Sequence, residues 1–211
     1  YKVTKTAELM ETGYVSKLDI NCIVLKHPPK KFEVFEDEVQ FIITHNKRNN
    51  FIKNLVSKLD GNTLVLFSRI EAHGEPLFDL INSNVGEDRK VFFVHGGVNT
   101  EERESIREIT ENEVNAVIVA SYGVFSTGIN IKNLHNVIFA SPSKSRIRNL
   151  QSIGRVLRKG KNKDKATLYD IADDCTYNSR KNYTLNHFIE RVKIYNEESF
   201  NYDIVTINLK E

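Results

Sequence analysis

The chain has 211 residues, Lys+Arg 30 against Asp+Glu 28, and 40% hydrophobic residues. That is enough chain for one large domain with a proper core. The net charge of +2 excludes nucleic-acid binding by bulk charge, so any such contact must come from a local patch.

Zinc is not expected. Cys22 and Cys175 form no C-x-x-C pair, and the six histidines form no H-x-x-x-H pair. No apolar run approaches membrane-spanning length, and no secretory leader is visible. These features point to a cytoplasmic protein with reduced thiols. Tyr1 stands first in place of a methionine, so a longer polypeptide is expected.

In chain order, Thr4 to Met10 starts like a helix, with Thr4 or Thr6 as caps. Asp19 to His27 reads as a strand that Pro28-Pro29 ends. Phe32 to Phe41 is ambiguous between a short strand and an acidic helix. Asn46 or Asn49 caps a helix through Lys58. Gly61-Asn62 is a turn. Thr63 to Phe67 is a short apolar run, as a buried parallel strand requires. A helix follows through Leu77, Leu80 and Ile81.

Val91 to Val94 is the next strand and His95-Gly96-Gly97 a loop. Asn99 or Thr100 caps a helix from Glu101 to about Glu111. Ala116 to Ala120 is a strand, and Ser121 to Asn130 a polar, glycine-containing loop. Val137 to Ala140 is a strand, followed by a basic helix. Ala166 to Ile171 is a strand, Leu185 to about Glu197 a helix. Asp203 to Leu209 is strand-like, pairing either with this sheet or with another chain.

Alternating strands and helices with short loops predict a right-handed, doubly wound α/β domain, with a mostly parallel sheet and helices on both faces. In such sheets the working residues sit at the carboxyl ends of strands. That rule selects Ser68-Arg69, His95 to Gly97, Ser121 to Asn130 and Ser141 to Ser145.

The basic helix begins just past the last of these. Nine cations and one anion, Asp164, lie between Lys144 and Lys165. Within it Gln151 to Arg158 reads Q-x-x-G-R-x-x-R. Gln151, Arg155 and Arg158 fall on adjoining helical turns. Two guanidinium forks and an amide on one face can grip a phosphate chain. Ser121, Ser126 and Thr127 offer hydroxyls to phosphates, and Asn130 can bond a ribose or an arginine. Arg69 contacts a phosphate or caps the sheet edge. His95 reads as structural. Asp170, Asp173 and Asp174 look like paired metal carboxylates, though such clusters more often mark a solvated strand end.

A phosphate loop is missing. G-R-V-L-R-K-G-K, from Gly154 to Lys161, has five residues where G-x-x-x-x-G-K-[ST] needs four, and Asn162 follows. The chain thus carries arginines suited to a γ-phosphate and nothing to hold the rest of ATP. Half of a two-lobed motor has that asymmetry.

At this point the pattern resembles the second RecA-like domain of a superfamily-two helicase. Leu64 to Arg69 is similar to motif IV, Val119 to Asn130 to motif V, and Gln151 to Arg158 to motif VI. His95-Gly96 with Arg103 resembles the family's H-G-x-x-x-x-x-x-R segment. Within the superfamily, the run from Ile118 to Ile129 is similar to motif V of phage branched-DNA helicases. The resemblance covers nearly the whole chain, residues 1–211 as one domain, with 1–18 as a lead-in from an absent ATP-binding domain.

The resemblance implies roles. Arg155 and Arg158 would be catalytic, reaching ATP and Mg2+ held mainly by the other lobe. Gln151, Gly128 and Asn130 would line the nucleotide cleft. Arg69, Ser121, Ser126, Thr127 and Lys144 would contact nucleic acid. Asn130 stands where many relatives have Asp. The partners implied are DNA, branched or duplex, or RNA, and the N-terminal RecA-like domain, with no membrane. The processes implied are recombination, repair or replication. The rival readings are a non-hydrolysing annealing module and the motor of a restriction or excision-repair enzyme.

Overall fold

A computed structural model describes residues 16–127, 131–142 and 165–209. The expected helix at Thr4 to Met10 and the basic helix lie outside the described residues.

The strands are β1 (Lys17–Lys26), β2 (Thr63–Phe67), β3 (Val91–Val94), β4 (Val117–Ser121), β5 (Asn136–Phe139), β6 (Lys165–Asp174) and β7 (Tyr202–Asn208). They form a seven-stranded sheet in the order β3-β4-β2-β5-β6-β1-β7. Every pairing is parallel. The doubly wound α/β expectation is borne out. The tail also finds its place: β7 pairs with β1, Cys22 opposite Ile204, and closes one edge of this sheet.

The central strands show why. All five residues of β2 are buried, and a strand covered on both faces has no use for alternation. Leu64 and Leu66 point into one apolar layer, with Ile118, Val137, Phe139 and Leu168. Val65 and Phe67 point into the other, with Val117, Val119, Ile138 and Ile171.

The helices are α1 (Phe35–Ile43), α2 (Asn46–Lys58), α3 (Glu75–Asn82), α4 (Thr100–Asn112), α5 (Tyr122–Thr127) and α6 (Tyr183–Glu197). The ambiguous stretch after Phe32 is therefore helix, with Val39, Ile42 and Ile43 turned inward. Ile52 and Val56 of α2 and Leu77 and Ile81 of α3 cover one face. Ile106 of α4, Phe125 of α5, and Leu185, Phe188 and Tyr195 of α6 cover the other.

Local details depart from the sequence reading. His45, not an asparagine, caps α2: its Nδ1 accepts from Arg48 N at 3.3 Å. Asn99 caps α4, accepting from Glu102 N at 2.8 Å. A wide π-type turn, Ile70–Gly74, precedes α3. Its Gly74 N donates five residues back, to Arg69 O, at 2.8 Å. Pro76 follows in the same helical run and has no N–H to offer the Ala72 carbonyl, so the ladder widens just ahead of it. Gly74 is required there, because a Cβ would sit 2.5 Å from Phe67 Cε2.

The supposed polar loop after β4 is partly helix. Residues Tyr122–Thr127 form α5, and Tyr122, Val124 and Phe125 are buried. Their apolar side chains outweigh the hydroxyls and glycine that suggested a loop.

Candidate nucleic-acid interface

Because every strand runs the same way, all the carboxyl ends share one edge. Phe67 of β2 pairs with Ser121 of β4. Val94 of β3 pairs with Ala120 of β4. Ser68-Arg69, His95 to Gly97 and Ser121 therefore leave the sheet side by side. Ser68 is exposed; Arg69, His95 and Ser121 are half-buried. Phe139 of β5 pairs with Leu66 on the other flank of β2, so Ser141-Pro142 emerges at the same edge.

Arg69 forms an exposed ion pair with Glu36 in the first turn of α1. Such pairs are weak in water, so its guanidinium remains available to a competing phosphate. His95 organises its own loop. Its Nδ1 accepts from Gly97 N at 3.1 Å. Arg103 donates through Nε to Val98 O at 2.7 Å and through Nη2 to Gly96 O at 3.4 Å. His95 and Arg103 thus shape the connection after β3, in keeping with the structural reading of His95.

Ser126 and Thr127 lie in the last turn of α5. Gly128, Asn130, Lys144, Gln151, Arg155 and Arg158 lie outside the described residues.

Below this edge is a polar layer that sequence reading misplaced. Asp173 is buried and accepts from Arg48 Nε at 2.9 and 3.0 Å. His27 Nε2 lies 2.8 Å from Asp173 Oδ1. Arg48 Nη2 donates to Ala140 O at 2.8 Å. Arg48 thereby joins α2 to the exits of both β5 and β6. Burial alone would raise the Asp173 pKa, but Arg48 and His27 hold it below the usual carboxylate range.

Asp170 is equally buried. It accepts from Arg191 Nε and Nη2 at 2.8 and 2.7 Å, and from Tyr195 Oη at 2.7 Å. Neither Asp170 nor Asp173 is a solvated strand end or a metal ligand; each carboxylate is consumed by an arginine. The partners, Arg48 and Arg191, escaped notice because sequence spacing cannot pair Arg48 with Asp173, 125 residues away.

Ser141 extends the layer. Its Oγ accepts from Ser68 N at 3.0 Å and lies 2.9 Å from His73 Nδ1. Burial pushes the His73 pKa down to about 3, aided by the Arg48 charge. His73 is therefore neutral when folded and takes up a proton when unfolded. Between pH 6.5 and 3 the unfolded chain binds the extra proton, so this stability is present above pH 6.5 and lost as pH falls. At about 1.4 kcal/mol per pH unit, dropping from pH 6.5 to 5 should cost ~2 kcal/mol. Urea unfolding at pH 7 and 5 checks this. His73→Gln should flatten the pH dependence by that amount, and an unchanged slope would contradict it.

Among the described residues no group of three or more His, Cys, Asp and Glu is placed to hold a metal ion. No helix among them is long and apolar enough to cross a membrane.

Comparison with known proteins agrees with this geometry. The helicase conserved C-terminal domain family matches residues 46–160. The chain is 42% identical to the ATP-dependent DNA helicase uvsW of Enterobacteria phage T4, over 99% of this chain and 44% of that protein. It is 30% identical to a putative ATP-dependent RNA helicase, L396, of Acanthamoeba polyphaga mimivirus, over 73% of this chain and 28% of that one. The crystal structure of T4 UvsW superimposes with a TM-score of 0.78 at 39% identity, covering 93% of this chain and 42% of that chain. The C-terminal domain of the DEAD-box protein Dbp5 shares the fold, with a TM-score of 0.59 at 14% identity and 92% coverage of both chains. The chain spans less than half the length of the curated relatives it matches. With its parallel sheet, its motif-bearing loops on one edge and the family match over residues 46–160, the chain belongs to the helicase conserved C-terminal domain family.

Proposed function

We propose that the chain is the second motor lobe of an ATP-dependent DNA helicase or translocase that remodels branched DNA in recombination, repair or replication. The 42% identity to the T4 DNA helicase across 99% of the chain carries this reading.

In it, Arg155 and Arg158 reach over the γ-phosphate of ATP held by the other lobe and stabilise the charge of the transition state. Gln151, Gly128 and Asn130 line the same cleft. Mg2+ would be held with ATP mainly by the other lobe, where it would offset phosphate charge. Two described acids that could have served it here, Asp170 and Asp173, are tied to arginines. Arg69, Ser121, Ser126, Thr127 and Lys144 hold the phosphate backbone of the track. Closure and reopening of the two lobes then shift them along that backbone.

RNA as the track is a second reading, favoured by the name of the mimivirus relative.

Hydrolysis by the full-length protein should rise when branched DNA is added, and more than with single-stranded RNA. The isolated 211-residue chain should hydrolyse no ATP. Robust turnover by the isolated chain would overturn the half-site reading. A full-length protein that binds DNA in a salt-sensitive way but never turns over ATP would support an annealing module instead.

A further inference from the structure

At the far side of the same edge, β1 and β6 end together, with Lys26 opposite Asp174. The chain after β1 turns at Pro28-Pro29, and Lys30 N donates to Cys175 O at 3.2 Å. The chain after β6 makes a tight reversal. Tyr177 N donates to Arg180 O at 3.1 Å and Arg180 N to Tyr177 O at 2.9 Å. Between them Asn178 and Ser179 take positive φ, 46° and 62°, as a two-residue hairpin of the favoured twist requires. Residues directly opposite across such a bridge project from the same side. The hairpin therefore presents an aromatic ring and a guanidinium together, and Tyr177 is 41% exposed.

Between this hairpin and the segment after β1 lies a groove of about 800 Å³, lined by Lys30, Lys31, Phe32, Tyr177, Arg180 and Lys181 among others. Its one lining carboxylate, Glu38, is already spent. Glu38 accepts from Tyr183 N at 2.8 Å, Thr184 N at 2.7 Å, Thr184 Oγ at 2.7 Å and Asn182 Nδ2 at 2.7 Å. It thereby also occupies the start of α6. Lys31 pairs with Glu33 at 2.6 Å, both exposed, a contact a phosphate can displace. Lys30 Nζ lies 4.0 Å from the Phe41 ring centroid, which steadies its stem. Arg180 and Lys181 are exposed and neither forms a salt bridge among the described residues, although Arg180 lies close enough to exposed Glu33 to add to Lys31 in lowering its pKa. Cations to follow a backbone, with exposed rings on which bases can stack, is the composition of a single-strand site.

We infer that this groove is a second nucleic-acid contact, one that takes single-stranded nucleic acid by phosphate and base together. Two strand positions separate β2 from β6, about 10 Å, so one strand crossing the edge at Ser68-Arg69 continues into it. Arg180 and Lys181 grip phosphates, and Tyr177 stacks a base. The inference rests on the proposed function, and its failure is separable from that of the proposal.

The test uses the full-length protein, a labelled thymidine 20-mer and a duplex of equal length, with affinity measured across a salt series. Arg180→Ala with Lys181→Ala should flatten the single-strand salt slope by about 1.4, two contacts at about 0.7 each. Tyr177→Ala should weaken single-strand binding roughly 5- to 150-fold without changing that slope. Arg180→Lys, which keeps both cations, should retain the parental slope, whereas a folding defect would not spare it. Affinities within twofold of the parent and unchanged slopes, in a protein that still binds and hydrolyses ATP, would overturn the groove alone. Equal losses on duplex and single strand with Tyr177→Ala neutral would overturn the single-strand assignment. A parent that binds neither probe would overturn the proposed function and the groove with it.

Discussion

Arg158→Ala in the full-length protein should lower ATP turnover by about 10³–10⁵-fold while largely sparing ATP binding. The reasoning starts from charge. A phosphoryl group in transit spreads negative charge over its equatorial oxygens, and a fixed guanidinium fork meets that charge with no reorganisation. Ground-state ATP gains much less from the same contact, so affinity should hold while turnover falls. Arg158→Lys should recover only a small part, since an ammonium lacks the fork. The measurement is single-turnover hydrolysis beside equilibrium binding of a labelled nucleotide. Turnover within threefold of the parent would remove Arg158 from the catalytic role.

Arg48→Met is the second large effect, and it acts on stability. Arg48 and Asp173 are both buried, and His27 shares the same carboxylate. Removing one charge leaves the other dehydrated and unpaired, which typically costs about 3–5 kcal/mol. Against a domain stability of roughly 5–15 kcal/mol, that is a large fraction. The double variant Arg48→Met with Asp173→Leu should recover most of the loss, because the desolvation cost of a buried pair nearly cancels its Coulomb gain. Urea unfolding of the three proteins measures this. A single variant within 1 kcal/mol of the parent would show that the Asp173 carboxylate finds other support.

Some elements were legible because their signal is local. The β2 and β3 runs, Thr63–Phe67 and Val91–Val94, are legible in the sequence to the residue. Short apolar strings between polar turns have one good solution in a layered α/β domain. The α4 cap was legible for the same reason, since Asn99 bonds a residue only three along. The stretch at Tyr122–Thr127 is not legible as a helix because its hydroxyls and glycine carry loop statistics, whereas burial of Tyr122 and Phe125 against the sheet decides its conformation. Ser68-Arg69, His95 to Gly97 and Ser121 were legible as neighbours through the strand-end rule. The groove beside Tyr177 was not, because Lys30 and Arg180 lie on separate crossovers.

By itself, then, the amino-acid order determined the layer architecture, the parallel strand pattern and the motifs that place the chain in its family, since each is written in spacings of a few residues. Tertiary structure alone decided where β7 docks, which acids are buried, and that Asp173 meets Arg48 and Asp170 meets Arg191. Those outcomes are long-range. Arg48 is drawn to Asp173, 125 residues away, because a buried carboxylate needs a cation or several hydrogen-bond donors to keep its charge, and no local pattern records which partner will be within reach.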